Sequence, residues 1–244
     1  MLEITFVGTG DAFGSGGRRN TSILVRGTEG VLLLDCGPTT PNGLRQLGID
    51  PREIDAIAIS HFHGDHIAGV PFLLLDYRYE RIREKPLQII GPEGIEERID
   101  AMTRNFVFDF SDERSYALGF TEYQAGKTLP AAGFELMPMP AVHQLDTHPH
   151  MFRVQDDSRA LVFSGDTGWH DELPEKVGDV NLFIAECVFY EEKFKYHLSH
   201  ERLAEHRGRF RCDSTILTHL GSELLAELDR VQFDTSEDGT RINL

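Results

Sequence analysis

The 244-residue chain has only three cysteines, Cys36, Cys187 and Cys212, scattered and without a CxxC spacing. That excludes a disulfide framework and leaves each thiol as a small core residue, not a ligand or nucleophile. Long apolar runs are missing too: none approaches the roughly 20 residues that a membrane-spanning helix needs. Met1-Leu2-Glu3-Ile4-Thr5 begins a strand at once where a secretion signal would place a basic and then an apolar stretch. A soluble, cytoplasmic protein is therefore expected. Positive charge is scarce, with 24 Lys and Arg against 40 Asp and Glu and a formal net charge of −16. Long nucleic acid requires a cationic footprint that this composition lacks. No Pro/Ser-rich linker or low-complexity tract divides the chain, so one domain spanning 1–244 is expected. Its 40% hydrophobic residues suffice for a sizeable core.

What the chain does have is histidine in an unusual place. Ser60-His61-Phe62-His63-Gly64-Asp65-His66 packs three imidazoles and a carboxylate into six consecutive positions, directly after the β-branched run Ile54-Asp55-Ala56-Ile57-Ala58-Ile59. That run reads as a buried strand, so the cluster sits at a strand end, where catalytic groups usually stand. His61 and His63, two apart in extended backbone, point to one side, and Asp65 and His66 turn away after the flexible Gly64. One loop can thus feed two neighbouring cations, and neutral imidazole mixed with carboxylate suits borderline divalent metals.

The chain opens with the strand Leu2–Val7 and a loop containing Gly8-Thr9-Gly10 and Phe13. Phe13 displaces the third glycine of a dinucleotide loop, and a strand, Ser22–Val25, follows where that loop needs a helix. No nucleotide cofactor is expected. Val31–Leu34 is a strand ending in Asp35, read as an acceptor for backbone N–H groups of adjoining loops, with orientation of the His loop compatible with that duty. A helical turn at 42–47, a helix from Ile67 to Tyr79, a strand at Leu87–Gly91 and an amphipathic helix over 93–105 alternate in the α/β manner. The aromatic-rich segment 106–120 reads as a lid, an interface or core filler. The next residues read as antiparallel strands, 119–123 and 134–139, about a turn at Gly126. His143, Asp166, Glu186 and His219 each stand at or just beyond a further strand. Ser199 suits the N-cap of a helix from His200, and 237–240 reads as a hairpin turn before the last residues.

His61/His63/Asp65/His66 followed in order by His143, Asp166 and His219 resembles the metallo-β-lactamase superfamily, over nearly the whole chain. The resemblance implies an αββα four-layer sandwich, two mixed β-sheets flanked by helices, with metals at one edge. It implies one divalent ion on His61, His63 and His143, a second on Asp65, His66 and His219, and Asp166 between them. Zinc is favoured by ligand type, with Mn or Fe tolerated by the same donors. Within the superfamily, Gly8-Thr9-Gly10 with Arg19-Asn20, Ala185-Glu186-Cys187 and His197-Leu198-Ser199 resemble the ribonuclease Z-like phosphodiesterase branch. That likeness implies a hydrolase using a metal-bridging hydroxide, His197 as general acid partnered by Glu186, and Asp65 among the catalytic residues. The long exosite arm of ribonuclease Z and a basic stripe for tRNA are lacking, which favours a small-molecule substrate, a phosphodiester of cyclic or open form, over tRNA 3′ processing. A thioesterase, lactonase or other ester hydrolase on the same scaffold, and a relative that only binds, stay open. Homodimers are common among such relatives. His148 and His150, and Arg18 and Arg19, either touch a substrate phosphate or belong to solvated loops.

Overall fold

In the computed structural model, which describes residues 2–106 and 114–244, strands and helices follow the alternation read from the sequence. The strands are β1 (Glu3–Gly8), β2 (Ser22–Arg26), β3 (Val31–Leu34), β4 (Ala56–Ala58), β5 (Leu87–Gly91), β6 (Leu118–Glu122) and β7 (Leu129–Ala131). They continue as β8 (Phe134–Pro140), β9 (His150–Gln155), β10 (Ala160–Phe163), β11 (Leu182–Glu186), β12 (Ser214–Thr218), β13 (Asp234–Thr235) and β14 (Arg241–Asn243). The helices are α1 (Thr40–Gln46), α2 (Gly64–Ile67), α3 (Val70–Tyr79), α4 (Ile95–Phe106), α5 (Leu173–Val177), α6 (His200–Glu205) and α7 (Ser222–Ala226). Two sheets form, ordered β14-β1-β2-β3-β4-β5-β6 and β13-β12-β11-β10-β9-β8-β7. In each, one half is parallel (β3 to β6, β10 to β13) and the other antiparallel.

Successive side chains on a strand point to opposite faces, so a strand buried on both sides feeds two cores. Leu32 and Leu34 join Ile4 and Phe6 between the sheets, against Phe152, Leu161, Phe163 and Ile184. Their sequence neighbours Val31 and Leu33 face outward with Ile57 and pack on Leu44, Leu73, Tyr77, Ile95 and Ile99 of the helices. On the far side Val162, Phe183 and Ala185 pack on Leu173, Leu203 and Leu224. The result is the four-layer αββα sandwich with two mixed sheets, each fully buried large side chain contributing about 1.5–3 kcal/mol.

Two turns differ from the sequence expectation. Residues 119–123 and 134–139 are not partners: β6 lies parallel to β5 in the first sheet, while β8 pairs with β7 and β9 in the second. The turn at Gly126 (φ 75) therefore lies in a connection between sheets, and the tight hairpin is made by Ala132 and Gly133, both at positive φ. Residues 237–240 likewise form a turn, but β13 and β14 belong to different sheets, so no hairpin results. Local turn chemistry reads the reversal correctly and carries no information on which sheet receives the next strand. Of the aromatic segment, Tyr116 is buried and Phe120 packs on the outer core, while residues 107–113 lie outside the described residues.

Arg83 is fully buried between α3 and β5. Its guanidinium donates to the carbonyls of Lys85, Arg52, Ile54 and Pro86 at 2.5–3.1 Å and stacks near Tyr77 and Tyr116, ring centres 4.9 and 5.8 Å away. It thereby ties the segment leading into β4, and hence the His loop, to the segment leading into β5. Arg83→Met strands several buried carbonyls. We expect a loss of about 3 kcal/mol, read as a lower urea midpoint at unchanged slope.

Candidate metal centre

The C-terminal ends of β3, β4, β10, β11 and β12 and the end of β8 converge on one edge, the usual place for a site in a parallel sheet. Beyond β4 the chain reaches His63 in extended backbone, and Gly64 starts the single turn of α2 that presents Asp65 and His66. This turn packs directly on the backbone after β3: a Cβ on Gly37 would meet the Asp65 carbonyl oxygen at 1.9 Å, and one on Gly69 the Gly37 oxygen at 2.0 Å. Both positions demand glycine. Asp35, in the left-handed region at φ 60, holds the loop: its carboxylate accepts from Ser60 N and Oγ, each at 2.7 Å, and lies 2.7 Å from His66 Nδ1. Both duties read for Asp35 are met by one side chain.

The structure brings all seven expected ligand residues together. Ligand atoms of His61, His63, His143 and Asp166 lie within 4.8 Å of one another, as do those of Asp65, His66, Asp166 and His219; Asp166 is common to both groups. Asp166 Oδ2 is 3.5 Å from His219 Nε2 and 3.7 Å from His61 Nε2, and Oδ1 is 3.3 Å from His66 Nε2. Four rings present Nε2 inward because Nδ1 has a partner: Ser60 Oγ for His61 (3.0 Å), Asp35 for His66, the Tyr196 carbonyl for His143 (2.8 Å) and Thr21 Oγ1 for His219 (3.0 Å). Nothing in the sequence signals such a duty for Ser60, which directly precedes His61, or for Thr21 and Tyr196, which lie 198 and 53 positions from their histidines.

This donor set fits a pair of divalent cations. His66 Nε2 and Asp166 Oδ1 are buried without any hydrogen-bond partner. In folded proteins most buried polar atoms have a hydrogen-bond partner, and a cation satisfies lone pairs that face one another. Burial, reinforced by His66, holds the His61 ring neutral, its pKa well below the usual value, and burial lowers His143 to about 4. Neutral imidazole is the form that binds metal. At His66 burial opposes charge, yet Asp166, Asp65 and Asp35 outweigh it and draw its pKa well above the ordinary value. Asp65 and Asp166 remain ionised despite burial, held well below the usual carboxylate range by His66 and His219. The centre is a concentration of negative charge that calls for cations.

Beside it stands a fourth element of chemistry. His197 Nδ1 is 2.8 Å from Glu186 Oε1, and Glu186 is fully buried, its Oε1 also accepting from Thr167 N. The His197 ring lies 5.0 Å from that of His143 and stacks 5.8 Å from that of His219. Desolvation favours neutral imidazole at His197, but the Glu186 charge and its hydrogen bond outweigh it and raise the pKa to about 9. Burial in turn pushes the Glu186 carboxyl up.

Four basic residues named from sequence do not join this centre. Arg18 donates to Thr9 Oγ1 and the Ser236 carbonyl, and Arg19 to the Val7 carbonyl and Gln46, with Asp238 3.6 Å away. They lash the first loop to the C-terminal turn and to α1. His150 points Nδ1 at the His148 carbonyl and its ring at Tyr123; the exposed His148 lies against Phe62.

Residues 2–233 match the family described as Anti-Pycsar protein Apyc1. The chain is 26% identical to the ribonuclease Z of Mycobacterium marinum over 93% of its own length and 88% of that protein. It is 32% identical to the ribonuclease Z of Methanothermobacter thermautotrophicus over 66% of its length, spanning about half (51%) of that relative. The fold superposes on the metallo-β-lactamase fold protein YhfI of Bacillus subtilis with a TM-score of 0.80 at 20% identity, covering 100% of both chains.

Proposed function

Since the chain belongs to the anti-Pycsar protein Apyc1 family and is similar to ribonuclease Z in sequence and to a metallo-β-lactamase fold protein in structure, we propose that it is a dinuclear metal-dependent phosphodiesterase acting on a small, cyclic or open, phosphodiester. The observation that carries this reading is the His197–Glu186 pair set against the seven converging donors. A phosphodiester expels an alkoxide, which needs a proton; a thiolate or stabilised amine leaves without one.

The chain's own residues supply the following. His61, His63 and His143 would hold one cation, Asp65, His66 and His219 the other, and Asp166 both. Such a pair supplies Lewis acidity toward phosphoryl oxygens and makes water acidic enough to attack at neutral pH. Glu186 occupies His197 Nδ1, which leaves Nε2 as the atom that gives its proton to the departing oxygen. Asp65, held ionised, is an acceptor for a proton of the attacking water. Asp35 and Ser60 keep the His loop in one arrangement, so little reorganisation is needed during the reaction.

The test is a hydrolysis panel with metal-replete protein: bis-p-nitrophenyl phosphate, cyclic mononucleotides and a precursor tRNA against a lactone and a glutathione thioester. Small diesters are expected to be turned over best. Activity on lactone or thioester alone would overturn the reading, and preference for precursor tRNA would select the activity named for the ribonuclease Z relatives. The net charge of −16 weighs against that outcome.

A pH profile gives a second check. The acid form of His197 predominates below its pKa, so kcat falls as pH rises through that value, at most about 9 because bound cations repel the proton. Glu186→Gln removes the charge that raises it, and the alkaline limb is expected to move to lower pH. A limb that stays in place would remove Glu186 from this role.

A further inference from the structure

Among the five imidazoles of the centre, His63 is the exception. It turns Nδ1 inward, 3.1 Å from both His61 Nε2 and His143 Nε2, and its outward Nε2 lies 3.1 Å from Gln144 Oε1. The other four rings are held by groups inside the fold, whereas Gln144 is an exposed side chain. It directly follows His143, so one short loop supplies one ligand and the orienting partner of another. That loop is itself tied down: Thr147 N and Oγ1 donate to the Gln144 carbonyl, and the Thr147 carbonyl accepts from Phe62 N, the residue before His63.

Three ring nitrogens converge at about hydrogen-bond distance, and the two with inner Nε2 keep their protons on the outer nitrogens. A cation can share that space only if His63 also brings a lone pair, which requires its proton on Nε2. The Gln144 amide oxygen accepts a hydrogen bond from that N–H. Turning the His63 ring over would place Nδ1 outward and break the hydrogen bond, so Gln144 selects both the orientation of the ring and the position of its proton.

We infer that Gln144 is a positioning residue for the metal centre, presenting His63 to the cation through Nδ1; the inference rests on the dinuclear reading above. The experiment compares the full-length protein with Gln144→Leu and Gln144→Glu. Zinc affinity is measured by competition with a chromophoric chelator, the ligand field by the visible spectrum of the cobalt(II) form, and folding by the melting temperature of the metal-free protein. Gln144→Leu is expected to hold the zinc of the His61, His63 and His143 group about 10–100-fold less tightly, with an altered cobalt spectrum and an unchanged metal-free melting temperature. Gln144→Glu, which keeps an acceptor, is expected to restore affinity and spectrum. Wild-type affinity and spectrum in the leucine variant would overturn the inference, as would a glutamate variant as weak as leucine, which points to loop packing. A change confined to KM would assign Gln144 to substrate contact instead and also overturn it. Uptake of fewer than two cations by the wild type would remove the dinuclear reading, and the inference with it.

Discussion

Asp166→Asn is expected to lower turnover about 10³-fold or more and to reduce the content of tightly held divalent cation. Asp166 belongs to both donor groups, is almost fully buried and leaves Oδ1 without a hydrogen-bond partner. The asparagine has nearly the same shape but is a poor ligand, and it removes a negative charge that draws the His66 pKa upward. Lewis acidity contributes several kcal/mol to a reaction of this kind, and each 1.36 kcal/mol is tenfold in rate. Metal content by elemental analysis and kcat on the best diester from the panel check it. A variant with a full complement of cation and wild-type turnover would show that Asp166 is not shared between two ions.

His197→Ala carries the second large effect, and its pattern matters more than its size. General-acid catalysis contributes about 10²–10⁴-fold, so kcat on diesters with an alkoxide leaving group is expected to drop by that factor. On p-nitrophenyl esters, whose leaving oxygen hardly needs a proton, the loss is expected to be far smaller. Cation content is expected to stay at the wild-type level, because His197 lies outside the two donor groups centred on His61 and His66. Equal losses on both substrate types would remove the general-acid assignment and leave His197 as a wall of the site.

Much of the site is legible in the sequence because His61, His63, Asp65 and His66 are local. Extended backbone puts residues two apart on one side, and the turn that starts at Gly64 swings the next pair round; both are properties of neighbouring residues. Asp166 and Glu186 could be picked out because each ends a buried, β-branched or apolar run. The partners Thr21, Tyr196 and Gln144 could not. Each reaches its histidine across a tertiary contact, with 53 positions separating Tyr196 from His143 and 198 separating Thr21 from His219. For Arg18 and Arg19 the sequence left phosphate contact and a solvated loop both open; their bonds to the Ser236 carbonyl and beside Asp238, folded back from the C-terminal end, exist only in the tertiary structure.

The succession of strands and helices along the chain and the local His61/His63/Asp65/His66 cluster follow from patterning of neighbouring residues, while the four layers and the full set of seven donors were implied by the resemblance to the metallo-β-lactamase superfamily. Which sheet receives β6, β8 and β14, and which atom of each histidine faces inward, was decided by the tertiary structure alone. Register and sheet membership depend on apolar surfaces that meet only when both layers are present, and a ring nitrogen is assigned by whatever hydrogen-bonds the other one.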